Sequence, residues 1–279
     1  MSVASERELS RHLVAFVDLL GFRAAVAQPA TRDQILNLLL DLSQLSGEGS
    51  IERVALEDLN QILDKLRSPD RPKGMPNYVS SENGRHTFAR PAISAFSDTV
   101  VVSFKIDPSG KNGLTLDEGL HFMYFTAGHL AGKAFDAGLL IRGGLTAGDL
   151  YHQDGVLMGP ALIEAYELEQ GVAGYPRLVC SKVLSDDESI KQGTRGFTCY
   201  LDTDGLLCLD YLSEVIMRQV DHEARYRRMQ DVARQNAESF GKQGDLRRLS
   251  KWQYFSHDLD NAMSRLANKY GRRPRPRST

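Results

Sequence analysis

His12–Phe22 reads HLVAFVDLLGF, an apolar run rich in β-branched and aromatic residues, interrupted by one aspartate and closed by Gly21-Phe22. That content predicts a buried strand. Beyond the glycine the period changes. Ala24 to Val26, then Ile35, Leu38, Leu39 and Leu42, recur at helical spacing, so the chain opens as strand, turn, helix. A second apolar run, AISAFSDTVVVSF at Ala92–Phe104, carries the polar pair Ser97-Asp98 at its centre. Serine and aspartate are turn formers, so two strands and a tight turn fit it better than one long strand.

Leu114–Ala137 has the spacing of a helix, with Gly138 as its stop. Then LLIRGGLTAGDLYHQDGVLMG, residues 139–159, predicts a strand pair with His152-Gln153-Asp154-Gly155 at the hairpin tip. Pro160 opens a helix through Gln170, as proline does in a first helical turn. Leu178–Leu184 and Phe197–Leu212 carry the remaining strand signals, and from Ser213 the pattern is helical to about Tyr270. Between the first two strand regions, Gly47 and Gly49 break the chain and Ile51–Leu66 reads as an amphipathic helix with Val54, Leu59, Ile62, Leu63 and Leu66 on its apolar side. Ser68–Arg90 reads as a loop or hairpin, which makes about 44–90 an insertion. The expectation is an α+β domain over residues 1–212, followed by a helical extension over 213–279. Its last nine residues, GRRPRPRST, form a basic, disordered tail.

Composition narrows the classes. The 279 residues suit one large domain, or one domain with an appendage. With 42% hydrophobic and 25% charged residues the chain is an ordinary globular protein. No apolar run reaches the length of a membrane helix, and the N-terminus MSVASERELSRH is too polar for a secretory signal, so a soluble cytoplasmic protein is expected. Cys180, Cys199 and Cys208 lack CxxC spacing and predict reduced, partly buried thiols. Thirty-four basic against 36 acidic residues argue against a nucleic-acid binder.

Asp18 and Asp98 each interrupt an apolar, strand-like run, where an ionised carboxylate is costly unless paired or bound to a cation. If the two strands are neighbours, both carboxylates project from one end of the sheet beside a helix N-terminus, a place to hold divalent cations and the phosphates they bridge. By spacing alone each aspartate serves equally well as a turn or helix cap. Arg142, flanked by the small residues of IRGGLTAG, suits a phosphate group, or equally a solvated strand end. Gly143, Gly144 and Gly148 match neither a P-loop nor a dinucleotide fingerprint and suggest close strand packing. His12, His121, His129 and His152 have no ligand-like spacing.

Taken in order, FVDLLGF, AFSDTVVVSF and IRGGLTAGDLYHQDGVLMGPALIEAYELE resemble the catalytic domain of class III nucleotidyl cyclases, over roughly residues 12–212. The third block, especially GPALIEAYELE, is similar to the pyrimidine cyclases of bacterial Pycsar anti-phage systems. The resemblance implies a ferredoxin-like βαββαβ core, working as a head-to-tail homodimer with sites at the interface. It places two Mn²⁺ or Mg²⁺ ions on Asp18 and Asp98, with the backbone carbonyl of Leu19 as a further ligand. It also puts the triphosphate on the backbone N–H groups of Gly21 and Phe22 and on Arg142. The implied reaction converts UTP to 3′,5′-cyclic UMP and diphosphate, the product acting on a separate effector in anti-phage defence. CTP, giving cyclic CMP, remains the alternative substrate, and a silent nucleotide sensor or a two-metal phosphohydrolase the alternative roles.

The departures from the family pattern are specific. Adenylyl cyclases read adenine with a lysine at the position of Ser94, so ATP is disfavoured here. Their ribose-orienting asparagine and transition-state arginine align with Ile163 and Glu167, and Tyr166 and Glu164 are candidate substitutes.

Overall fold

A computed structural model describes residues 8–47, 50–55, 80–82, 85–188, 190 and 198–270. The opening apolar run forms β1 (Ser10–Leu20). Gly21 takes φ 95°, a left-handed conformation that a side chain would strain, and turns the chain into α1 (Phe22–Val26). Pro29 then starts α2 (Pro29–Leu45), which buries Ile35, Leu38 and Leu42. Next come β2 (Ile51–Ala55), β3 (Ser80–Glu82) and β4 (Arg85–Ala89), paired as a separate small sheet in the order β2-β4-β3. β5 (Ala92–Phe96) and β6 (Thr99–Lys105) form the hairpin expected around Ser97-Asp98, with Ser97 at φ 57°. α3 (Leu116–Asp136) begins with a capping box between Thr115 and Glu118 and ends at Gly138, whose φ is 77°.

β7 (Leu140–Gln153) and β8 (Val156–Met158) meet at Asp154-Gly155, both at positive φ, so His152 and Gln153 belong to the strand and not to the turn. α4 (Pro160–Leu168) runs into a π-helical turn, Glu169–Ala173. The order continues through β9 (Leu178–Cys180), α5 (Lys182–Ser185), β10 (Cys199–Leu201), β11 (Leu207–Leu209), α6 (Tyr211–Met217), α7 (His222–Lys242) and α8 (Leu246–Tyr270).

The result is a mixed α+β fold whose main sheet has eight strands in the order β10-β11-β9-β7-β1-β6-β5, with β8 attached to β7. Its centre, β7-β1-β6-β5, is antiparallel throughout. α2 lies between β1 and β5 in the chain, and α3 between β6 and β7. β9 pairs parallel to β7. Alternation along β1 divides the sheet's two faces. Leu13, Ala15, Val17 and Leu19, with Val100, Val102 and Phe104 of β6, join α2 and α3 in the main core. Val14, Val101 and Leu150 face α4 through Ala161 and Ala165.

The β7 glycines are required at these positions. A Cβ on Gly143 would lie 2.2 Å from the Phe16 carbonyl oxygen of β1, and one on Gly144 2.3 Å from the Ala165 carbonyl oxygen. A Cβ on Gly148 would meet Ala161 Cβ at 3.2 Å. Close strand packing therefore accounts for Gly143, whereas Gly144 and Gly148 admit a helix.

The C-terminal helices share the same core. Trp252, Phe255, Leu259, Ala262 and Leu266 recur every three to four residues along α8 and are buried with the sheet's residues. Phe255 stacks on Phe135 of α3 with ring centroids 5.7 Å apart.

Three local expectations need correction. Ile51–Ala55 is a strand and not the start of a helix, because it pairs with Arg85–Ala89; residues 56–66 of that expected helix lie outside the described residues. The strand expected over Leu178–Leu184 stops at Cys180, and the chain turns into α5. Phe197 lies outside the described residues, and the rest of the Phe197–Leu212 segment holds two three-residue strands and then the start of α6. The basic tail also lies outside the described residues. Among the described residues no helix is long and apolar enough to cross a membrane, and all three cysteines are free and buried.

Candidate functional site

The site is built at the end of β1. Asp18 stands opposite Thr99 of β6 on one side and Arg142 of β7 on the other. Asp98, in the β5–β6 turn, accepts a 2.7 Å hydrogen bond on its backbone oxygen from the amide of Leu19. The two aspartates expected from the sequence, together with Leu19 and Arg142, are thus brought to one end of three adjacent strands. Gly21 and Phe22 follow one turn later. The helix they open, α1, has only five residues, so it offers a tight turn and little of the dipole of a long helix.

Arg142 is paired and not solvated. Its Nη2 lies 3.3 Å from Asp18 Oδ2 and in closer contact with Glu169 Oε1. Glu169 is fully buried and its Oε2 accepts from Gln170 Nε2 at 2.5 Å. Arg142 Nε is buried and has no hydrogen-bond partner among the described residues, so the guanidinium retains a donor. Burial, and then the neighbouring charges of Glu169 and Asp98, raise the Asp18 carboxyl above its usual range, with Arg142 and Lys251 opposing. Three carboxylates therefore share the site with the cations Arg142 and Lys251.

Two of these residues carried no sequence signal. Glu169 sits within the quoted ELE run, but its burial follows from the π-helical turn. Lys251 lies far along the C-terminal helices, and nothing in its local pattern relates it to Asp18. The candidate substitutes on α4 separate. Glu164 Oε2 accepts a 2.8 Å hydrogen bond from the Thr146 hydroxyl, which itself lies 2.8 Å from Ser181 Oγ, so Glu164 is engaged structurally. Tyr166 is exposed and meets Phe16 edge to face at 5.4 Å. Ile163 and Glu167 are exposed on the same helix. Ser94 is hydrogen-bonded to His152 Nε2 at 2.8 Å, and Ser103 to His152 Nδ1 at 2.8 Å.

Among the described residues no group of three or more His, Cys, Asp or Glu side chains is arranged to hold a metal. The donor set at the sheet end still fits a hard divalent cation shared with a ligand. Asp18 and Asp98 carry carboxylate oxygens, and burial, then the charges of Glu169 and Asp98, disfavour the ionised Asp18 that a cation would stabilise. Compared with known proteins, the chain matches no family model and no curated sequence.

Proposed function

We propose that this chain is a class III type nucleotidyl cyclase, with a cyclase domain over residues 1–212, that converts UTP to 3′,5′-cyclic UMP and diphosphate. The observation that carries the reading is the convergence of Asp18, Asp98 and Arg142 at one end of β1, β6 and β7. The strand order β7-β1-β6-β5, with α2 and α3 as crossovers, supports a ferredoxin-like βαββαβ core. Asp18, Asp98 and the Leu19 carbonyl would hold Mn²⁺ or Mg²⁺, which supplies Lewis-acid stabilisation of phosphoryl oxygens.

The chain's own residues then perform positioning and charge compensation. Arg142, held between Asp18 and Glu169, keeps a permanent positive charge at the sheet end where the triphosphate would lie. The Gly21-Phe22 turn would present backbone N–H groups to the β- and γ-phosphates. Ser94, hydrogen-bonded to His152, stands where adenylyl cyclases carry their adenine-reading lysine, which disfavours ATP. A homodimer with sites at its interface belongs to this reading, and the exposed apolar residues Phe96, Met158 and Ile163 are surface that a second copy would cover. The cyclic nucleotide would act on a separate effector protein.

The test is to incubate the purified protein with each of the four nucleoside triphosphates and Mn²⁺ and to chromatograph the products. Cyclic UMP is the expected product. Cyclic CMP would change the base assigned, release of inorganic phosphate would move the same aspartates to a phosphohydrolase, and the absence of any cyclic nucleotide overturns the cyclase reading. Asp18→Ala and Asp98→Ala each abolish turnover in a folded protein.

A further inference from the structure

The π-helical turn that carries Glu169 to Arg142 is held from behind by one buried residue, Arg177. Its Nε donates to the Ala173 carbonyl at 3.0 Å and its Nη2 to the Val172 carbonyl at 3.4 Å, both at the end of the turn. The last carbonyls of a helical segment have no partner within it, and a guanidinium fork can meet two of them at once. The backbone of Arg177 reaches the other half of the ion pair. Its carbonyl oxygen accepts a 2.9 Å hydrogen bond from the amide of Gly143, the neighbour of Arg142 in β7, and the next residue, Leu178, stands opposite Gly143 in the parallel pairing of β9 with β7. Arg177 thus ties together the two segments whose side chains form the Arg142–Glu169 pair.

Arg177 is fixed in turn by residues distant in the chain. Its Nη1 lies 2.5 Å from Asp202 Oδ2 and 2.7 Å from Asp204 Oδ2. The Tyr254 hydroxyl of α8 donates to the same oxygen of Asp202. Tyr254 stacks on Tyr175 with ring centroids 4.7 Å apart, and the guanidinium carbon lies 5.8 and 6.0 Å from the two ring centres, within cation–π reach. Buried ion pairs add little net stability over apolar residues of the same volume, and in some proteins they fix one arrangement out of several. Here the arrangement fixed is that of the turn against β7.

We propose that Arg177 is a positioning residue of the site. By holding the π-helical turn to β7 it sets Glu169, and through Glu169 the orientation of the Arg142 guanidinium, while Tyr254 of the C-terminal hairpin completes the clamp. The extension then belongs to the frame of the site and not only to the core. The effect on a nucleoside triphosphate rests on the cyclase reading; the link from Arg177 to Glu169 does not.

The experiment uses the full chain. Arg177→Lys keeps the charge and loses the fork, and Tyr254→Phe keeps the stacked ring and loses the hydroxyl. Arg177→Lys is also made in a Glu169→Gln background, and circular dichroism checks that every protein is folded. Amide hydrogen exchange without nucleotide is followed by mass spectrometry. Both single variants should speed exchange in the segment 169–173 by about 10-fold or more and leave β1 and β6 unchanged. Unchanged exchange in the turn, or an equal rise across the sheet, overturns the clamp. In turnover of the four nucleoside triphosphates with Mn²⁺, Arg177→Lys should lower kcat/KM by about 10- to 100-fold, as misplacing a binding group does, and by no more than a few-fold once Glu169 is glutamine. An equal loss in both backgrounds, or no loss in either, shows that Arg177 does not act through Glu169. If the turn responds in exchange but no triphosphate yields a cyclic product, the cyclase reading fails and the clamp stands.

Discussion

His152 couples the main sheet's stability to pH. It sits on β7 with 5% of its surface exposed, and its ring bridges two other strands through Ser94 of β5 and Ser103 of β6, both at 2.8 Å. Burial, with a smaller contribution from the nearby His12, lowers the imidazolium from the usual 6.5 to about 4. The folded state thus binds a proton less readily than the unfolded chain. The stability contributed is complete above the unfolded pKa of 6.5 and is lost as pH falls towards about 4. At about pH 5, linkage with these two values gives a loss of about 2 kcal/mol, at roughly 1.4 kcal/mol per pKa unit. Residual solvent at the ring reduces that to about 1 to 2 kcal/mol. Urea unfolding of wild type and His152→Gln at about pH 7.5 and about pH 5 measures the effect. Glutamine can still reach one serine but cannot titrate, so any cost it adds is common to both pH values. Wild type should lose about 1 to 2 kcal/mol more than the variant between the two pH values. Equal losses in the two proteins would show that His152 does not carry the proton linkage.

Gly144→Ala places a Cβ 2.3 Å from the Ala165 carbonyl oxygen and 2.5 Å from Leu168 Cβ, so α4 must lift from β7. The expected cost is about 1 to 3 kcal/mol, seen as a Tm lower by several degrees in calorimetry, and an unchanged Tm would contradict the packing described. Glu169→Ala strips Arg142 of its buried partner and should destabilise the fold by about 3 kcal/mol, with Glu169→Gln recovering part of the loss in chemical denaturation; an alanine variant as stable as wild type would deny the pair a structural role. Cys180, Cys199 and Cys208 are buried and free, and burial pushes the Cys208 thiol far above its usual range. An aromatic disulfide reagent should therefore find no reactive thiol in the native protein and all three in guanidinium; rapid labelling of the native state would refute the burial.

Much of the main sheet was legible because its strands carry their own local pattern. HLVAFVDLLGF, AISAFSDTVVVSF and LLIRGGLTAGDLYHQDGVLMG each combine an apolar run with turn residues, and the turns fall at Gly21, at Ser97-Asp98 and at Asp154-Gly155. The register Asp18 to Thr99 and Asp18 to Arg142 then brings the carboxylates and the arginine together at one end of the sheet. Where the pattern was local but the partner distant, it misled. IERVA reads as one turn of an amphipathic helix, yet it becomes a strand because Arg85–Ala89 supplies the hydrogen bonds of a ladder. Val183 and Leu184 extend the apolar run of β9 and nevertheless start α5.

The division follows from the range of the forces. Strand alternation, helix spacing and turn chemistry act over a few residues, so the sequence by itself determined the α+β character, the central strands and the candidates Asp18, Asp98 and Arg142. Charge acts through space. Only the tertiary structure buries Glu169 against Arg142, clasps His152 between two serines, and stacks Tyr254 of α8 on Tyr175 beyond the π-helical turn. Those meetings depend on how the π-helical turn and the C-terminal hairpin pack, which no local period encodes.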